Sequence, residues 1–172
     1  IIGGITMSEE NEKVYTGPLM LVNGTHECKI DGINLTSLLQ QSNKTYKVAD
    51  YEVEVNTSIL QNVNNMFGDF YEIKGANDIM VSNGYRSKEL QELLYNEEII
   101  AMNSQGEPGT TDLVAKPGYS EHQTGYALDL SMLDSEGIIT EFTGEGEYSW
   151  IHENCAKYGF IWRYTEEKSN IT

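Results

Sequence analysis

Between Ser120 and Asp129 the chain reads Ser-Glu-His-Gln-Thr-Gly-Tyr-Ala-Leu-Asp, which sets an imidazole, His122, ahead of a carboxylate, Asp129. A neutral imidazole nitrogen and a carboxylate oxygen are both donors that zinc accepts. The same two groups also make an ordinary hydrogen-bonded pair, and spacing alone leaves both chemistries open. Gly125, between them, lets the backbone turn tightly. Asp129 lies between Leu128 and Leu130, whose side chains point the other way if the segment is a strand. A carboxylate on the buried side of a strand needs donors or a positive charge to compensate it, and a divalent cation would serve.

These residues need a scaffold, and the hydrophobic pattern outlines one. Leu19 to Val22 is a short apolar run ending at Asn23-Gly24, which reads as a strand and turn. Residues 24–50 are polar and read as loop with short elements. Tyr51, Val53 and Val55 alternate with acids, the period of a strand. Thr57 or Ser58 is placed to cap a helix carrying Ile59, Leu60, Val63, Met66 and Phe67 on one face. Ile79 to Val81 reads as a buried strand. Ser87, followed by Glu89, caps a second helix with Leu90, Leu93 and Leu94 as its core stripe, running to about Met102. A Gly/Pro/Ser/Thr-rich connection over 103–121 leads into a strand from Tyr126 to Met132. Glu147 to Tyr158 reads as a third helix with Trp150, Ile151, Cys155 and Tyr158 inward, stopped by Gly159. Phe160 to Trp162 then begins another strand. Strands and helices do not alternate regularly, so the expected fold is α+β: a small, mainly antiparallel sheet flanked by helices.

Composition bounds the rest. The 172 residues suit one domain, with 39% hydrophobic and 22% charged residues. Acids outnumber bases 27 to 11, for a formal charge of -16. A field of that sign repels nucleic acid and anionic membrane surfaces. There is no apolar run of the length that spans a bilayer. Cys28 and Cys155 stand far apart with no Cys/His cluster near either; a single long-range disulfide between them stays open, and buried free thiols are the default reading. His26 and His152, and the acids Glu121, Glu145 and Glu147, read as solvated surface.

Ser120-x-His122-x-x-Gly125-x-Ala127-x-Asp129 matches, position for position, the SxHxxGxAxD signature of zinc peptidases, and the chain resembles the D-alanyl-D-alanine carboxypeptidases of the VanY type. Other parts agree in order. Leu19 to Asn23 is similar to that family's LLLVN segment, and Gly84-Tyr85-Arg86-Ser87-x-x-x-Gln91 to its YRSxxxQ motif. Trp150 to Tyr164 is similar to its WLxENAxxYGFxxRY block, with a shifted count between Ala156 and Tyr158. The resemblance covers roughly residues 19 to 172. It implies a zinc cleft on the sheet, with His122 and Asp129 as ligands. It implies that Arg86 stabilises the oxyanion or anchors the substrate carboxylate, a task suited to a guanidinium. A cation is not favoured at a helix start, which adds support for such a role. Gln91, Ser120 and Tyr164 are implied as substrate-binding residues, although each also suits an ordinary structural hydrogen bond. The implied reaction is removal of the terminal D-alanine from peptidoglycan stem peptides.

The family follows its RY block with an EPWHxRY-like segment that carries the third zinc ligand and the catalytic glutamate. No ExxH follows Asp129 in this sequence. The expectation is therefore a flexible lead-in over 1–16 and a peptidase domain over 17–172 that lacks its C-terminal segment, with impaired activity. A non-catalytic cell-wall peptide-binding module on the same fold is the alternative, as is an L,D-carboxypeptidase or D,D-dipeptidase. The implied substrate places the protein at the cell surface or outside the cell, its signal or anchor missing from this chain.

Overall fold

In the computed structural model the described residues are 22, 24–30, 32–39, 45–105 and 114–163. The expected flexible lead-in, the Leu19–Val22 strand apart from Val22 itself, and Tyr164 lie outside them. Among the described residues, six short strands and three α-helices make up the fold: β1 (Leu35–Ser37), β2 (Lys47–Val48), β3 (Glu54–Asn56), α1 (Leu60–Lys74), β4 (Ile79–Asn83), α2 (Lys88–Ser104), β5 (Asp129–Leu133), β6 (Ile139–Glu141) and α3 (Ser149–Asn154). The main sheet runs β2-β4-β5-β6, with β2 parallel to β4 and the other pairs antiparallel. β1 and β3 form a separate antiparallel pair. This is the mainly antiparallel α+β architecture expected.

α1 forms because Val63, Met66, Phe67 and Phe70 recur at helical spacing, and all four are buried. Its start differs from the expectation. The cap is Asn56, whose side chain accepts from the Ser58 N–H, and a 3-10 turn over Thr57–Ile59 precedes the helix. Asn is as good a cap as Ser, and here it belongs to the end of β3. Gly75, in the left-handed region at φ 70°, ends α1. The buried cluster joins α1 to Val53 and Val55 around β3, to Ile79, Met80 and Val81 of β4, and to Ile151 and Cys155. Phe70 also meets Tyr148 and Trp150 at centroid distances of 5.7 and 5.9 Å.

Other expectations also need correction. Ser87 caps α2 as read, accepting from the Leu90 N–H, but Leu90 and Leu93 are 47% and 59% exposed, and the buried residue of that helix is Gln91. Leucine spacing does not say which side of a helix meets the chain, and here a polar demand turns the Gln91 side inward. Phe160 to Trp162 is not a strand; Trp162 instead packs on Phe142 and His152. His152 is not solvated surface. Its ring lies 3.8 Å from that of Trp162, its Nε2 is buried without a hydrogen-bond partner, and a Cβ on Gly144 would come within 2.2 Å of that nitrogen. Cys28 and Cys155 are buried free thiols, as expected.

Phe67→Ala should destabilise the fold by about 3–5 kcal/mol, read by urea denaturation, because it opens a cavity at the centre of the cluster. A loss under about 1 kcal/mol would mean that the helix face is loosely packed. His152 gives a second expectation. Burial, opposed only in part by Glu153, holds its pKa below the ordinary histidine value. The unfolded chain then binds the proton more readily, so stability falls as pH drops through the ordinary histidine range of about 6.5. His152→Gln should flatten that part of the stability–pH profile; an unchanged slope would show that other groups set it.

Candidate metal centre

Three backbone segments meet at the site: the end of β3, the link from β4 to α2, and the turn ahead of β5. The Tyr85 N–H donates to the Glu54 carbonyl at 2.6 Å, and the Asn56 N–H donates to the Gly125 carbonyl at 2.9 Å. The Arg86 N–H donates to the His122 carbonyl at 3.0 Å. These approaches need glycine. A Cβ on Gly84 would stand 2.2 Å from the Glu54 carbonyl oxygen. One on Gly125, at φ 71°, would stand 2.9 Å from the Asn56 nitrogen. Gly125 closes the 3-10 turn Glu121–Thr124 that carries His122, and Thr124 braces it by donating to the Glu121 carbonyl and accepting from the Tyr126 N–H.

This framework points His122 at Asp129, with Nε2 3.3 Å from Oδ1. His122 Nδ1 lies 2.6 Å from the Gly84 carbonyl oxygen. A carbonyl only accepts, so Nδ1 carries the hydrogen, and in the neutral imidazole the Nε2 lone pair faces the carboxylate. Two acceptors in that relation require a positive species between or upon them, either a proton or a cation. A ring nitrogen held by a backbone carbonyl while the other is left free is also how proteins prepare a histidine for metal. The donor set fits zinc. Among the described residues no group of three His, Cys, Asp or Glu converges, so this pair is what they supply.

The Asp129 carboxylate is half-exposed, at 45%, more open to solvent than its place between two leucines suggested. Burial alone would raise its pKa. When the His122 ring is protonated, its hydrogen bond and charge, then the Arg86 charge and the Asn83 hydrogen bond, outweigh that and hold it below the ordinary carboxylate range. It is ionised at neutral pH and ready for a cation. Arg86 Nη2 lies 3.9 Å from Asp129 Oδ2, and Arg86 Nη1 donates to Gln91 Oε1 at 3.0 Å. Gln91 Nε2 donates in turn to the Ala115 carbonyl at 2.7 Å.

Of the residues expected at the site, His122, Asp129 and Arg86 come together. Gln91 is 1% exposed with both ends of its amide engaged, so it orients Arg86 instead of presenting a group to a peptide. Ser120 is also buried, at 3%, just before the His122 turn. Glu121 is not solvated but buried, in an ion pair with Arg163. Its position beside His122 was the only hint in the sequence. Asn83, which donates to Asp129 Oδ2 at 3.1 Å, was not foreseen.

Comparison with known proteins identifies the family to which this fold and its His122–Asp129 pair belong. Residues 52–172 match the family model for VanY, D-alanyl-D-alanine carboxypeptidase, and the chain belongs to that family. A D-alanyl-D-alanine carboxypeptidase of Enterococcus faecium is 30% identical over 166 residues, covering 94% of this chain and 49% of that protein. The chain spans half or less of the length of the curated relatives it matches. Among solved structures, the vancomycin-resistance D,D-pentapeptidase VanY from a VanB-type cassette, a point variant in complex with Zn(II), superposes with a TM-score of 0.63 at 28% identity, covering 90% of this chain and 81% of that one. The D,D-dipeptidase VanXYg, in complex with a D-Ala-D-Ala phosphinate analogue, gives 0.69 at 26% identity, covering 94% and 60%.

Gly125→Ala should cost more than about 1 kcal/mol, the strain of a left-handed alanine, because the methyl also meets the β3 backbone. Urea unfolding would check this, and a neutral result would show that β3 can move away from the turn.

Proposed function

We propose that this chain is the zinc-binding part of a D,D-carboxypeptidase that removes the terminal D-alanine from peptidoglycan stem peptides. The observation that carries the reading is the His122–Asp129 pair, with its tautomer set by the Gly84 carbonyl and its carboxylate ionised. Family membership and the Zn(II) complex of the VanY neighbour support it. His122 Nε2 and Asp129 Oδ1 would hold the zinc. Bound there, zinc would supply Lewis-acid polarisation of a peptide carbonyl. Arg86, steadied by Gln91, presents a guanidinium beside the pair, where it can fork the peptide's terminal carboxylate or stabilise a developing oxyanion. Such a substrate lies outside the cytoplasmic membrane, and so would the protein.

The first test is zinc per chain after dialysis against trace zinc, by elemental analysis. A ratio near one, lost in His122→Ala and in Asp129→Ala, is the expected result; no zinc in the parent chain would sink the metal reading. The second test follows D-alanine release from a peptide ending in D-Ala-D-Ala. Arg86→Ala should lower kcat/KM by ~100-fold or more. Zinc and peptide binding without any release would favour a binding module on the same fold.

A further inference from the structure

β4 and β5 pair in step from Ile79 opposite Met132 to Val81 opposite Leu130, and then the register slips. Asn83, not Ser82, stands opposite Asp129. Ser82 is thus the extra residue of a β-bulge, and it is tied on several sides. Its carbonyl accepts from the Tyr51 hydroxyl, its own hydroxyl donates to the Asp129 backbone carbonyl at 3.2 Å, and that hydroxyl accepts from Ser131 Oγ at 3.1 Å. Bulges re-aim side chains and gather beside functional sites. This one brings the Asn83 amide onto Asp129, where Nδ2 donates to Oδ2 at 3.1 Å. In unbroken register Ser82 would stand opposite Asp129 instead.

We propose that Asn83 is a positioning residue for the metal-binding carboxylate: its hydrogen bond occupies Oδ2, on the side where Arg86 also lies, leaving Oδ1 turned to His122, and so makes Asp129 a one-oxygen ligand. The inference rests on the reading of His122 and Asp129 as metal ligands. An amide suits this task because it donates a hydrogen bond without adding a charge that would compete with the cation. A lysine there would add a second positive charge to the one that Arg86 already brings near Oδ2. A carboxylate that is free to rotate would offer the metal either oxygen and lose the alignment with Nε2.

The experiment is zinc titration of the full chain in competition with a chromophoric chelator, paired with thermal unfolding of the metal-free protein. Asn83→Ala should weaken zinc binding by about 10–100-fold. The control is Asn62→Ala, which removes a tertiary hydrogen bond to the Tyr158 carbonyl that involves no residue of the site, and it should leave affinity unchanged. Asn83→Leu, close in volume and without a donor, serves if the alanine variant does not fold. Zinc binding in the parent chain with equal affinity in the Asn83 variants overturns the proposal while leaving the metal reading intact. An equal loss in the Asn62 control would also overturn it, since the effect would then follow stability. No zinc binding by the parent chain removes both together.

Discussion

The site depends on one steric condition: the backbone of β3 must pass against two other segments at closer range than any side chain permits. The Glu54 carbonyl accepts one hydrogen bond from the segment that carries Arg86, and the Asn56 N–H donates one to the segment that carries His122. Gly84 and Gly125 make room for them. Since alternate residues of a strand face the same way, Val53 and Val55 anchor this short stretch in the core while its backbone polar groups reach outward. The geometry of a histidine–carboxylate pair is thereby set by main-chain contacts with little freedom to adjust.

Electrostatics act on top of that frame. The chain is strongly acidic, yet its fold brings a guanidinium and an imidazole to one carboxylate. Arg86 is itself held by a buried glutamine, which gives direction to a long side chain that would otherwise sample many rotamers. The ionised state of Asp129 is a balance: desolvation works against it and three neighbours work for it. Removing any one of those neighbours shifts the balance toward the protonated acid.

Local sequence made much of this legible. Helix α1, strand β4, the Ser87 cap and the His122-to-Asp129 segment all follow from period, capping chemistry and motif spacing. What stayed hidden was set by distant partners. Leu90 and Leu93 carry a helical stripe, but the orientation of α2 is fixed by Gln91 reaching Arg86 and Ala115. Glu121 looks solvated until Arg163, far along the chain, folds back to it. Asn83 acquires its partner through a register slip that no local pattern announces. His152, placed between Ile151 and Glu153, reads as surface, whereas Trp162 and Gly144 enclose it.

The two thiols divide the molecule into separately readable parts. Cys28 belongs to a small cluster with Val22 and Ile30, whereas Cys155 sits in the main core. Neither can be alkylated until its surroundings open, because both are buried. The reactivity of each thiol therefore reports the opening of its own cluster. The native chain thus carries a pair of internal clocks for its own breathing, without any introduced label.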